Sequence, residues 1–225
     1  MLTFDFDGVL HDSRKRAWHA YQTVRSEMGL AELPDLSSPE QLPLVYQGVL
    51  SQSLTRWIPY EEAERFWRRH ARLTDSTARE EERGIITELV DVLGALAHGP
   101  GYSVVTGSHR TTVEHLLSRD LAVDAMPRVL LTRDDTGSKT DKLGYLGGQH
   151  GVTTYIGDTG SDIRHAKAAG LRAIAVAYGY ANADDLTAAG PDLVLHTPAD
   201  LAAWCRLVEA PQAGPGSPPH SAPAC

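Results

Sequence analysis

The chain has 225 residues, a formal net charge of −8, and 42% apolar against 22% charged residues, which allows one large domain or a core with an inserted module. The acidic balance argues against a general nucleic-acid binder, which needs a basic footprint, but leaves anionic small substrates open because local charge outweighs the sum. No run approaches the about 18 apolar residues of a membrane span, the opening lacks the basic start and long apolar stretch of a signal peptide, and Cys205 and Cys225 give no zinc or disulfide spacing, so a cytoplasmic protein without a membrane partner is expected.

The opening MLTFDFDGVL reads as a short buried strand that ends in acid, although strands normally exclude Asp. Asp5 and Asp7 share one face of extended backbone, and Gly8 permits a tight turn after them. The segment from Asp12 to about Glu82 is helical in pattern, with Trp18, Tyr21, Val24 and Met28 at helical spacing. Pro34, Ser37, Ser38 and Pro39 break it, a second helix is expected from near Glu40, and YEEAERFWRRHARL forms a third. From Arg83 helices and strands alternate. The amphipathic helix IITELVDVLGALA is ended by Gly99, Pro100 and Gly101 and followed by the strand YSVVTG. A helix around Val113 to Ser118 leads to the strand PRVLLT, and one near Lys142 to Gln149 leads to TTYIGD. The helix IRHAKAAG, closed by Gly170, then precedes the strands RAIAVAYG and DLVLHT.

This order predicts an α/β fold: a Rossmann-like core with a parallel sheet flanked by helices and right-handed crossovers, plus an inserted α-helical block. The core is expected over 1–12 and 83–210 and the insertion over 13–82. The last stretch, PQAGPGSPPHSAPAC at 211–225, cannot bury a core and is expected to be a disordered tail.

Open parallel sheets bind ligands beyond the carboxyl ends of their strands. FDFDG at 4–8, VVTGS at 104–108 and YIGDTGSD at 155–162 are such ends, so this sheet would bring Asp5, Asp7, Asp158 and Asp162 together. Two carboxylates about 5 Å apart repel by roughly 3 kcal/mol at an effective dielectric of about 20, against a typical whole stability of about 5–15 kcal/mol. A hard dication relieves that repulsion, and oxygen-only donors favour magnesium. Thr106 and a lysine of GSKTDK supply the hydroxyl and the cation that a phosphate needs, while Gly8 and Gly107 let backbone amides approach it. An aspartate at a strand end can attack phosphorus, and a carboxyl two residues on can protonate the leaving oxygen and later activate water. Like-charge proximity raises one pKa of such a pair, which suits the acid–base role.

DFDGVL resembles the first motif of the haloacid dehalogenase-like hydrolases, VVTG the second, SKTDKLGYL the lysine-bearing third and YIGDTGSDIRHAKAAG the fourth. Order and spacing also match. The resemblance implies a Rossmann-like core with a helical cap after the first motif, and magnesium-dependent hydrolysis of a small phosphomonoester through an aspartyl-phosphate. Within the family it points to the branch of phosphoglycolate phosphatases and β-phosphoglucomutases. It implies Asp5 as nucleophile and metal ligand, and Asp7 as acid–base with its carbonyl on the metal. Thr106 would hold the phosphate, Asp158 the metal, and Asp162 the metal directly or through water. Many members carry Pro after the lysine of the third motif, whereas Thr140 follows Lys139 here. Lys139 is still the first choice, because KTDKLGYL fits the variant in which this lysine opens a helix; Lys142, one turn later, is the alternative. Members that cleave carbon–halogen bonds lack an acid at the position of Asp7, so its presence implies phosphate esters.

Competing readings carry less. DTG at 158–160 and 135–137 is an aspartic-protease signature, but it requires related β-rich lobes or a symmetric dimer, and no GxxxxGK[ST] phosphate loop occurs. Arg65, Arg68, Arg69 and Arg72, with Phe66 and Trp67 among them, would either grip an anionic substrate or form an outer face paired with Glu61, Glu62 and Glu64; the outer face is expected. Arg56, Trp57, His11, His109 and Arg110 are weaker specificity candidates. A sugar phosphomutase using the same residues is the rival enzyme, and a non-catalytic binder of a phosphorylated ligand or a protein is the third reading. The expected partner is a small phosphorylated metabolite, met by a monomer or homodimer.

Overall fold

The computed structural model describes residues 1–46, 50–80 and 84–209. The expected tail at 211–225 and the expected junction at 82/83 lie outside the described residues. Six strands, β1 (Leu2–Phe4), β2 (Tyr102–Val105), β3 (Val129–Leu131), β4 (Thr154–Gly157), β5 (Arg172–Val176) and β6 (Leu193–Leu195), form one sheet. All pairs are parallel, and the order is β3-β2-β1-β4-β5-β6. The chain winds outward from β1 to β3, then returns to the other side of β1 and winds outward again to β6. The β1/β4 pair is therefore the switch point, where successive loops diverge and leave a crevice. Phe4 pairs with Ile156 across it, and the Asp5 N–H still donates to the Ile156 carbonyl at 2.8 Å. Asp5 and Asp158 thus leave the sheet side by side.

Both faces of the sheet are covered, as a parallel sheet requires. Phe4, Val104, Ile156 and Ile174 pack under α4 (Thr87–His98), α5 (Arg110–Asp120) and α9 (Pro198–Glu209). Val105, Tyr155, Ala173 and Ala175 pack under α6 (Lys139–His150), α7 (Gly160–Ala168) and α8 (Ala183–Ala189). Capping boxes open the two helices nearest the crevice: Ser138 with Asp141 starts α6, and Thr159 with Asp162 starts α7.

Between β1 and β2 lie α1 (Arg14–Glu27), α2 (Leu50–Leu54) and α3 (Tyr60–Thr77). They enclose a separate apolar cluster that includes Tyr21, Leu36, Leu42, Leu54 and Phe66, joined by Tyr180 from the loop after β5. The Phe66 ring lies 5.4 Å from that of Tyr21. The helix expected near Glu40 is a 3-10 turn, Pro39–Leu44, because Pro43 has no N–H to continue an α-helix. α6 begins at Lys139 rather than near Lys142, since its capping box fixes the start. α2, α8 and α9 go beyond the sequence pattern. α8 is held by its ends, with the Asp185 N–H on the Asn182 side chain at 2.8 Å and Gly190 in left-handed backbone. Among the described residues no helix is long and apolar enough to cross a membrane.

Phe66→Ala is expected to destabilise the chain by about 3–5 kcal/mol in urea unfolding, the usual cost of emptying an aromatic core site. Arg65→Ala is expected to change stability by less than about 0.5 kcal/mol, because its side chain is 64% exposed and reaches Glu62 only at 3.7 Å. A loss under about 1 kcal/mol for Phe66→Ala would show that the helical block lacks a packed core of its own.

Candidate active site

The loop after β1 turns at once: the N–H groups of Leu10 and His11 donate to the Phe6 carbonyl at 2.9 Å. Phe6 is fully buried and stacks on His11, whose Nδ1 meets the Gly84 carbonyl at 2.8 Å. His11 is thus a structural residue of the turn. Gly8 sits at φ +78°, and a Cβ there would collide with the Asp158 carboxylate. The Gly8 N–H donates to the His11 carbonyl at 2.8 Å. Its requirement for glycine comes from the positive φ and the close passage of Asp158.

Asp5, Asp158 and Asp162 are buried, and each offers a carboxylate oxygen within 4.8 Å of the others. One oxygen of each is anchored by main chain: Phe6 N–H on Asp5 at 2.8 Å, Tyr180 N–H on Asp158 at 2.7 Å, Thr159 N–H on Asp162 at 3.1 Å. The free end of Asp162, the N3 residue of α7, turns inward to Lys139 at 2.6 Å, so one carboxylate both caps a helix and joins the cluster. Lys139 Nζ also donates to Asp5 Oδ2 at 3.1 Å and lies 5.6 Å from the Tyr155 ring centre. Lys142 donates to the Thr132 carbonyl at 2.7 Å. Of the two lysines, Lys139 is the one in the cluster.

Asp7 is held apart from these three. Ser108 Oγ donates to its Oδ2 at 2.5 Å, and Arg16 Nη2 donates to its Oδ1 at 3.3 Å. Ser108 also donates its N–H to Thr106 Oγ1 at 3.1 Å, which ties the end of β2 to Asp7. Asp5, Asp7, Thr106, Gly107, Lys139, Asp158 and Asp162 all line one cavity of about 580 Å³, whose opposite wall carries Arg16, Tyr46, Trp67 and His70 from the helical block. Arg65 and Arg69 pair outward with Glu62 and Glu27. Arg72 and His109 line a separate cavity of about 490 Å³, and His109 pairs with Asp134 at 2.7 Å. Arg110 binds Asp135 at 3.0 Å, and Trp57 packs against the helical core.

Charge placement separates the carboxylates. Burial pushes Asp5 up to about 7, with Asp162 adding to the rise and Lys139 opposing it. Burial, then the charges of Asp162 and Asp5, raise Asp158 well above its ordinary value. Burial acts the same way on Asp162, but Lys139 and Thr159 outweigh it and draw it down. Burial also works to raise Asp7, yet Arg16, His11, Ser108 and Ser13 hold it below the usual range. The raised member of the Asp5/Asp7 pair is Asp5, through burial and Asp162 rather than through Asp7, while the Arg16 guanidinium holds Asp7 down.

Arg16, Ser108, Ser13, Tyr46, His70 and Tyr180 are cavity residues that motif reading does not reach. Ser108 follows VVTG directly. Arg16 lies four and eight residues before Ala20 and Val24 on the buried face of α1, so helical spacing alone marks it as an inward-facing charge.

Residues 2–176 match the family described as haloacid dehalogenase-like hydrolase. The chain belongs to that family. Among curated relatives of this hydrolase, a phosphoglycolate phosphatase of Synechococcus elongatus is 28% identical over 89% of this chain and 94% of the relative. A 5'-nucleotidase of Pseudomonas aeruginosa is 27% identical over 92% and 95%. The crystal structure of a predicted phosphoglycolate phosphatase from Haemophilus somnus superposes with a TM-score of 0.70 at 22% identity, covering 91% of this hydrolase and 96% of that chain. At that identity the likeness speaks for the fold.

Because the folded pKa of Asp5 stands above its ordinary 3.8, the native state holds the extra proton between 3.8 and about 7. The resulting stability is present below that window and is lost as pH rises through about 7. Asp158 is shifted in the same direction. The metal-free hydrolase is thus expected to melt at a lower temperature at pH 8 than at pH 5.5. Asp5→Asn should flatten that slope and raise the melting temperature at pH 8; an unchanged or lower value there would refute the strain assigned to Asp5.

Proposed function

We propose that this hydrolase is a magnesium-dependent phosphatase that cleaves a small phosphomonoester through an aspartyl-phosphate on Asp5. One observation carries the reading: Asp5 stands 3.1 Å from Lys139 in a buried cluster of carboxylates, with Asp7 as a second acid on the wall of the same cavity. Family membership and the phosphoglycolate phosphatases and 5'-nucleotidase among the relatives support phosphate esters as the substrate class.

The donor set fits a hard dication. Once ionised, Asp5, Asp158 and Asp162 face one ammonium, Lys139, which leaves two negative charges for a dication to compensate in a buried site of oxygen donors. These three carboxylates and the main-chain carbonyl of Asp7 would hold Mg²⁺. When bound, the ion neutralises the cluster and draws charge from the phosphoryl oxygens.

Asp5 attacks phosphorus, an Asp5–phosphoryl bond forms and the bond to the leaving oxygen breaks. The Thr106 hydroxyl, the Lys139 ammonium and the backbone at Gly107 hold the phosphoryl oxygens. Asp7 carries the proton. A dianionic phosphoryl group arriving beside Asp7 raises its pKa, so the carboxyl takes up a proton with the substrate and passes it to the leaving oxygen. It then draws a proton from the water that attacks the phosphorus of the aspartyl-phosphate, the Asp5–phosphoryl bond breaks, and inorganic phosphate leaves with the Asp5 carboxylate restored. Ser108 and Arg16 orient Asp7 for both transfers. Residues 13–82 act as a cap, in which Trp67, His70 and Arg16 roof the cavity and exclude water.

Phosphate release from a panel of small phosphomonoesters, with Mg²⁺ or with chelator, tests the reading. Release that requires Mg²⁺ and falls below roughly 10⁻⁴ of wild type in Asp5→Asn is expected. Release that survives either change would sink the mechanism. Mg²⁺ is also expected to raise the melting temperature more at pH 8 than at pH 5.5, because Asp5 and Asp158 must ionise to receive it. An equal shift at both pH values would place the ion elsewhere.

A further inference from the structure

Arg16 is a buried cation whose donors are largely unused. It is 8% exposed and lines the cavity from α1. Its Nη2 reaches Asp7 at 3.3 Å, while Nε and Nη1 have no hydrogen-bond partner among the described residues. A guanidinium presents five N–H donors in a planar fork and keeps its charge in proteins, so burying one half-paired is costly. Among the described residues its surroundings do not supply the missing acceptor. His70, also on this wall, gives its Nε2 to the Ala17 carbonyl at 3.0 Å and the Tyr46 hydroxyl at 2.9 Å.

The other cations of the cavity are engaged. Lys139 lies between Asp5 and Asp162, and Lys142 holds the Thr132 carbonyl. The Arg133 guanidinium stacks 5.0 Å from the Trp67 ring centre. Arg16 can offer its unused donors to an incoming acceptor while an Nη2 hydrogen stays on Asp7.

The position of that acceptor follows from the phosphatase reading, on which this inference rests. Asp7 gives its proton to the leaving oxygen, so whatever that oxygen carries lies on the Asp7 side, away from Asp5 and beside Arg16. We propose that Arg16 recognises a second oxyanion on the leaving group, and that the preferred substrates are short phosphomonoesters bearing a carboxylate or a second phosphate within a few bonds of the ester oxygen. Both groups match the planar fork bidentately. Arg16 is then the residue that separates anionic from neutral leaving groups.

The test compares phosphoglycolate, 2-hydroxyethyl phosphate and ethane-1,2-diol bisphosphate as substrates for wild type, Arg16→Gln and Arg16→Lys. Every rate is expected to fall in Arg16→Gln, since Asp7 loses a neighbour, but that loss is common to all three esters. The ratio of kcat/KM for an anionic over the neutral ester is the informative quantity, and it is expected to fall roughly ten- to a hundredfold on loss of a charge-assisted contact. Arg16→Lys should keep part of the ratio by keeping the charge. Whichever anionic ester shows the larger ratio in wild type identifies the carboxylate or the phosphate as the group read. A ratio near one in wild type, or one equal in wild type and Arg16→Gln, overturns the inference while leaving the phosphatase reading intact. If none of the esters, the neutral one included, releases phosphate, the phosphatase reading fails, and calorimetric binding of phosphoglycolate against 2-hydroxyethyl phosphate decides. An Arg16-dependent preference for the carboxylate would then sustain the recognition role, and equal affinities would remove it.

Discussion

Three carboxylates held within 4.8 Å of one another in a buried site are the constraint on which the rest of this structure turns. Ionised and unpaired they would repel strongly, so each is tied down at one oxygen and turned inward at the other. Main-chain N–H groups of Phe6, Tyr180 and Thr159 supply the ties, and Lys139 supplies the positive charge between Asp5 and Asp162. Gly8 and Gly179 leave room for the Asp158 side chain, which a Cβ at either position would strike. Much of the local backbone can be understood as a frame for charge that has been placed at close quarters.

The sheet order explains why these residues meet. β1 and β4 are neighbours although their residues are about 150 positions apart, and the winding reverses between them. That reversal parts the following loops and leaves their acidic ends facing one space. Lys139 enters from the start of α6, 134 residues from Asp5 along the chain, and its place is fixed by the Ser138–Asp141 capping box rather than by the sheet. Strand ends carry Asp5 and Asp158, while helix starts carry Asp162 and Lys139. The two kinds of element bring opposite charges to one point without either having to extend a long loop.

The alternation of helix and strand, the parallel sheet and the acidic strand ends were legible because each rests on local pattern. Pattern favours Lys139 over Lys142 without excluding the second. They differ in which backbone turn the capping box starts, and so in whether Nζ reaches Asp5 or the Thr132 carbonyl. Gly8 shows a different limit. A glycine signals positive φ or close approach, but not what approaches, and the carboxylate that passes Gly8 here is that of Asp158. The electrostatics of Asp7 were hidden for the same reason: two acids flanking Phe6 suggest mutual repulsion, whereas tertiary packing gives Asp7 a guanidinium and a hydroxyl. Arg69 was legible as an outward-facing charge, although its partner, Glu27, comes from α1 rather than from its own helix.

Where the helical block joins the sheet bears on how the site is controlled. α1 begins at Arg14, only a few residues beyond Asp7, and the turn between them is bound by the bonds from Leu10 and His11 to the Phe6 carbonyl. Arg16 therefore reaches Asp7 through a short, internally hydrogen-bonded connection, whereas Trp67 and His70 line the same cavity from α3. His70 is in turn bound to the carbonyl of Ala17, the residue next to Arg16, at 3.0 Å. The wall that faces the acids is thus one connected piece, tied to Asp7 through Arg16, which suits a group that must stay in register with Asp7.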